Sequence, residues 1–227
     1  IDSPGHVVVS GDIAYVSSFA SGNIKVLDVS DPSNIQLLST IQDEEDGNKL
    51  DGVMHFVLEG DLLAATANQT GEADTVSIYN VSDPTSPVRK AIITDGVQAS
   101  FLNIPYRCAI SGSKLYVTSV EDVVSIFDIT DPTTPQLEGE IVSGAVDSNG
   151  NSMLVGNAVA IEVDGDVAYI GSDQHDRLSI INVSDSANPE LLFEIVDGSD
   201  GFNYVGNVQS IIVDGDFLYF NSGDEDA

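Results

Sequence analysis

The chain has 227 residues, in which 7 Lys and Arg stand against 37 Asp and Glu, a formal charge of −30 at pH 7. That balance argues against nucleic acid as a ligand, because affinity for it comes mainly from cations that neutralise phosphates, and it disfavours anionic membrane surfaces for the same reason. Apolar residues at 42% supply enough material for a core and set disorder aside, while no apolar run approaches the roughly 18 residues that a membrane span needs.

In chain order, the first unit (about 1–52) opens with an apolar strand at 7–9 that ends at Gly11, where a Gly-Asp step predicts a tight turn. A second strand follows with Tyr15, then a third that runs into Asp28-Val-Ser-Asp-Pro32. In that turn the Asp carboxylate folds back onto following amides and Pro pre-sets φ. A fourth strand closes the unit. The second unit (about 53–104) repeats the order with a strand at 56–58, Gly60 and Asn80-Val-Ser-Asp-Pro84. The third (about 105–157) carries Cys108–Ile110, Gly112, Tyr116 and an alternating strand at 124–128 into Asp128-Ile-Thr-Asp-Pro132. The fourth (about 158–207) has 161–163, Gly165, Tyr169 and Asn182-Val-Ser-Asp-Ser186. A partial fifth (208–227) has Gly215 and Tyr219 and ends after its second strand. Nothing in the chain reads as helix.

The marker glycines are spaced 49, 52, 53 and 50 residues apart, and the Asp/Asn turn markers 52, 48 and 54. Two independent markers drifting together at one period identify a repeat. First strands that are apolar at nearly every position predict packing on both faces. Four strands in roughly 50 residues fit a propeller blade better than a solenoid turn or a sandwich. The predicted fold is therefore all-β, a β-propeller with about four and a half four-stranded blades present. With no Trp and no Gly-Gly pair, the chain fits neither the Trp-Asp nor the kelch pattern.

These residues resemble the LVIVD repeat, a propeller repeat of secreted and surface proteins of bacteria and archaea. The likeness rests on Gly11 with Ala14-Tyr15-Val16 and 26–32, Gly112 with Tyr116-Val117 and 126–132, and Gly165 with Ala168-Tyr169-Ile170 and 180–185. The second unit departs at Leu63-Ala64-Ala65, and the fourth has Ser186 where the others have Pro. The resemblance implies fold and a secreted or surface setting, and no reaction.

The unfinished fifth unit predicts either that the polypeptide continues or that another chain completes the sheet by strand addition. The opening at Ile1 predicts a processed product or a piece of a longer chain. The acidity suits molar salt, where the Debye length falls to about 3 Å, or calcium-rich extracellular water. Cys108, the single cysteine, excludes an intramolecular disulfide and reads as a buried strand thiol.

Candidate sites fall in three groups. The loops entering each blade are acidic and variable: Asp43 and Asp46, then Asp147, Asn149 and Asn151, then Asp197 and Asp200. They are candidate calcium ligands, although Ser152 and Ala158 break the EF-hand pattern; solvated acidic turns are the structural alternative. Five residues before each marker glycine stand His6, His55, Arg107, Ala160 and Ser210. In first strands lining a channel they ring one mouth, where they could hold an anion or, through the histidines, a metal, against a reading as interblade packing. Asn68, Asn80 and Asn182 head glycosylation sequons; the latter two coincide with the turn marker, leaving Asn68 as the candidate. No nucleophile elbow, Cys/His pair or phosphate-binding loop is present.

The expected function is a non-catalytic extracellular or cell-surface scaffold or binding module, engaging a protein or glycan partner or its own kind, with calcium as a candidate cofactor. The rivals are a metal-dependent enzyme or binder at the channel, and a self-assembling subunit completed by strand addition.

Overall fold

A computed structural model describes residues 2–43, 47–68, 74–99, 102–199, 201–202 and 205–223. Blade one comprises β1 (Pro4–Ser10), β2 (Ile13–Ser18), β3 (Asn23–Asp28) and β4 (Gln36–Gln42). Blade two comprises β5 (Val53–Glu59), β6 (Leu62–Ala67), β7 (Thr75–Asn80) and β8 (Val88–Thr94). Blade three has β9 (Pro105–Ser111), β10 (Lys114–Ser119), β11 (Val123–Asp128) and β12 (Gln136–Val142). Blade four has β13 (Ala158–Asp164), β14 (Val167–Ser172), β15 (Arg177–Asn182) and β16 (Glu190–Val196). β17 (Val208–Asp214) and β18 (Phe217–Ser222) pair as a two-stranded sheet. Each sheet is an antiparallel meander in chain order, so the fold is the all-β propeller that the repeat predicts.

Turn chemistry sets the meander. The inner strand of every blade reverses at its marker glycine, which holds φ between 56° and 59° in all five sheets, a left-handed conformation that costs glycine little. The outer reversal is an Asx turn: Asp28 Oδ1 accepts the Ser30 N–H at 2.9 Å, and Asp128 Oδ1 accepts Thr130 N–H at 2.8 Å. Asn80 and Asn182 do the same toward Ser82 and Ser184, at 3.2 and 3.0 Å. Three residues later a second carboxylate repeats the device, as Asp31 does toward Ser33 N–H and Oγ–H.

The core lies between blades. Inner strands follow one another in the order β1, β5, β9, β13, β17, and four apolar clusters each span two successive sheets. Phe56 packs with Tyr15, Ile24 and Tyr79 between blades one and two; its burial contributes about 1.5–3 kcal/mol. The flanking sheets differ from the sequence expectation of inner strands packed on both faces. Val7 and Val9 of β1 and Ile212 of β17 are exposed, because each points to a side of its sheet with no neighbouring blade among the described residues.

Strand direction sorts the connections onto two faces. Inner strands run toward the short glycine turns, and the Asx turns lie at that same end. The opposite end carries the links between β2 and β3 and their counterparts, and the loops that enter each new blade. Turns between third and fourth strands are seven residues long in all four complete blades, whereas the entering loops, 43–52, 95–104, 143–157 and 197–207, vary from 10 to 15. One face is stereotyped and the other varied.

Candidate functional site

The varied face surrounds the channel mouth. Its ring positions are fixed by a local irregularity of the inner strand: pairing with the second strand shifts register between Pro4 and Val7, between Val53 and His55, and beside Arg107. A bulge leaves a backbone group unpaired, and a hydroxyl 11 residues downstream takes it up. His6 N–H donates to Ser17 Oγ at 2.9 Å, Arg107 N–H to Thr118 Oγ1 at 3.0 Å, and Thr66 Oγ1 donates to His55 C=O at 3.2 Å. Blades four and five have Gly171 and Asn221 at the matching positions.

The structure brings His6, His55 and Arg107 together. The imidazoles of His6 and His55 lie with centroids 4.2 Å apart, and His6 also meets the Phe56 ring edge-on at 5.0 Å. His55 Nδ1 accepts a long hydrogen bond, 3.4 Å, from the Cys108 backbone N–H of the next blade. That amide can only donate, so the imidazole proton resides on Nε2. Arg107 stacks over the Tyr106 ring at 5.2 Å, and its Nε donates to Val159 C=O at 3.3 Å. Its fork thus retains donors, and no carboxylate of the described residues lies within ion-pair distance. His6, His55, Phe56, Arg107, Glu162 and Ser210 contribute to the wall of a cavity of about 350 Å³.

The surroundings favour the neutral form of both imidazoles. Burial and then the Arg107 charge lower the His6 pKa; burial, His6 and Arg107 lower that of His55 well below the ordinary range. Burial, followed by the neighbouring Asp164 charge, raises the Glu162 carboxyl. Arg107 is the one cation and Glu162 the one carboxylate among the residues lining this cavity, so an anion entering it would be met by Arg107 and by ring N–H donors rather than by a carboxylate cage suited to a metal ion. Among the described residues no group of three or more His, Cys, Asp or Glu is placed to hold a metal. His175 lies elsewhere, 3.4 Å from Ser143 Oγ. Cys108 is buried, with its Sγ 3.4 Å from Ala64 C=O.

The entering loops use their carboxylates on themselves. Asp43 Oδ1 accepts Leu50 and Asp51 N–H at 2.6 and 3.1 Å, and Asp197 Oδ1 accepts Val205 N–H at 3.0 Å. Asp147 takes four donors: Asn149 and Asn151 N–H on Oδ1, Asn151 Nδ2–H and Leu191 N–H on Oδ2. Asn149 and Asn151 are exposed and close this loop with Asp147. Asp46 and Asp200 lie outside the described residues. Asn68 is described, with its N–H on Gly52 C=O at 3.3 Å, but the rest of its sequon is not.

Sequence reasoning missed that a side-chain oxygen at the start of each entering loop latches it by accepting a backbone N–H near the loop's end. Asp95 Oδ1 accepts Leu102 N–H at 2.9 Å, and Ser143 Oγ accepts Val155 N–H at 3.2 Å. Asp43, Asp95, Ser143 and Asp197 each stand 15 residues after their turn marker. That constant offset is the signal that would have exposed them. Glu162 was missed because it stands two residues beyond the ring position, in a run otherwise apolar.

Comparison with known proteins agrees with this architecture. The chain resembles a Lactobacillus plantarum protein of known structure, at 19% identity and TM-score 0.64 over 85% of this chain and 57% of that one. It resembles a chain of the mitotic checkpoint complex at 14% identity and TM-score 0.67, over 97% and 57%. Chaetomium thermophilum Sqt1, solved bound to the N-terminus of ribosomal protein L10, matches at 16% and TM-score 0.64 over 97% and 56%. At such identities the likeness is one of fold, and the chain spans a little over half the length of each. No curated protein sequence matches it. The LVIVD repeat model matches residues 4–43, 107–142 and 155–197, just over half of the chain. With the markers, the meander sheets and the turn geometry in accord, the chain belongs to the LVIVD-repeat family.

Proposed function

We propose that this chain serves as a non-catalytic, extracellular or cell-surface propeller module that binds a protein partner on its varied face. The observation that carries this reading is the segregation of variation. Every Asx-turn connection is seven residues long, while the loops around the channel mouth differ in length and sequence. In a repeat protein, the face where per-repeat differences gather is the binding face. Propeller neighbours offer support by analogy, since Sqt1 was solved with a bound ribosomal-protein N-terminus and another neighbour within the mitotic checkpoint complex. The charge of −30 favours a partner with a cationic or neutral surface, held off from nucleic acid.

The test is to isolate the full-length protein with its native partner and to map the contact. Exchanging loop 143–157 for the sequence of loop 95–104 should abolish association, whereas Ser33→Ala and Thr133→Ala on the opposite face should leave it intact. Surface proteolysis of whole cells should release the protein. Association that survives the loop exchange, or a substrate turned over and lost on mutation at the channel, overturns the reading.

A further inference from the structure

We propose that the channel mouth is a binding site for a single carboxylate group, with the Arg107 fork as its charged partner and the His55 Nε2–H as a second donor. It rests on the reading of the varied face as the binding face and names the chemistry its centre recognises.

Three observations carry it. First, Arg107 is a cation without an ion-pair partner among the described residues, in a chain with more than five acidic groups for each basic one. The contrast is drawn by Lys114, bonded to Glu138, and by Arg177, whose Nη1 is 2.9 Å from Glu194 Oε2. Second, Arg107 is not loose. The Tyr106 ring beneath it and the Nε bond to Val159 C=O fix the plane of the guanidinium, leaving the terminal nitrogens as a preorganised fork. Such a fork suits a carboxylate in two-point contact. Third, the Cys108 amide fixes the His55 tautomer, so the ring presents a donor from Nε2 without carrying a charge. His6 packs against this ring at a tilt of 41°, with centroids 4.2 Å apart.

The surroundings choose among anions. A protein at −30 repels polyanions at long range, and Glu162 on the neighbouring inner strand lines the same cavity. One negative charge is what a single arginine matches; phosphate groups and polyphosphates carry more. Val8 and Val57, both half-buried, supply apolar wall beside the polar cluster, which suits a carboxylate on a short aliphatic stem.

The chain contains three histidines, and one of them, His175, lies away from this cavity. Imidazole resonances of the full-length protein, followed by NMR during titration with sodium propionate, therefore include an internal reference. The expected result is saturable movement of the His6 and His55 signals, still His175 signals, and no such movement with sodium chloride at equal ionic strength. Arg107→Gln should weaken the apparent Kd about tenfold, the loss of a charge-assisted contact, and Arg107→Lys should fall between. The proposal is overturned if His6 and His55 move no more with propionate than with chloride. It is equally overturned if all three histidines move alike, or if Arg107→Gln, shown folded by its thermal melt, binds propionate as the parent does. A propionate response in a protein whose partner association survives the loop exchange would retain this site while removing the partner reading; the reverse pairing would do the opposite.

Discussion

His55 and Cys108 join blades two and three at the channel wall: the Cys108 N–H donates to His55 Nδ1 at 3.4 Å, and the Cys108 thiol lies 3.7 Å from the same nitrogen. The contact fixes an imidazole tautomer and buries a thiol together. Burial pushes the Cys108 pKa up to about 12, so almost no thiolate exists at neutral pH. Cys108 should resist iodoacetamide at pH 8 in the folded protein and react fully in denaturant. Alkylation of the native state at the rate of a free thiol would contradict this burial.

Stability should fall with acid in two stages. His6 and His55 have lowered pKa values when folded, whereas unfolded imidazoles titrate near about 6.5. Below that pH the unfolded chain binds protons that the folded chain refuses, so stability declines as pH falls toward the folded values. Arg107 and Cys108 from β9, and Glu162 from β13, face this cluster. Glu162 acts oppositely: its raised pKa gives a contribution that is lost as pH rises. The second stage comes from Asp28, Asp31, Asp83, Asp128 and Asp131. Each is held below the usual carboxylate range, first by the hydroxyl and then by the backbone N–H of the residue two further on. It should begin below about pH 4. Urea melts across pH 3–8 test both stages, and His55→Gln should flatten the first.

Asp95→Ala should destabilise the protein by about 1–3 kcal/mol, because the Leu102 N–H loses its acceptor beside a fully buried side chain. Asp95→Asn keeps an acceptor oxygen and should recover most of the loss. Equal destabilisation by both, measured in urea, would show that charge rather than the latch bond matters.

Gly139→Ala should cost about 1–3 kcal/mol through overpacking. A Cβ there would stand 1.7 Å from the Ser186 carbonyl oxygen of blade four. Ala91 holds the same register in blade two, opposite Ile78 as Gly139 is opposite Ile126, so the intolerance belongs to this blade junction. A thermal midpoint unchanged from the parent would refute the close approach.

Calcium should raise the thermal midpoint no further than sodium chloride of equal ionic strength. Both Asp147 oxygens already accept N–H donors, and Oδ1 of Asp43 and of Asp197 accepts backbone N–H of its own loop. A calcium-specific rise of several degrees would instead show a cation bound only by the folded state.

What the sequence determined by itself is the repeat: the marker glycines, the Asp/Asn turns and the alternating strands are local devices, and local conformational preference is written in neighbouring residues. The blade meander, the all-β propeller and the alignment of His6, His55 and Arg107 at one register follow from them. Tertiary structure decided what those residues meet. Whether His55 presents Nε2–H depends on an amide 53 residues away, and whether Arg107 is free or paired depends on carboxylates brought near by blade packing. The acidic loops make the same point. Asp147 has the spacing of a metal ligand, and packing adds to the bonds from its own loop one from Leu191 N–H, 44 residues on. Spacing names the groups that can bond; only packing between blades determines which partners reach them first.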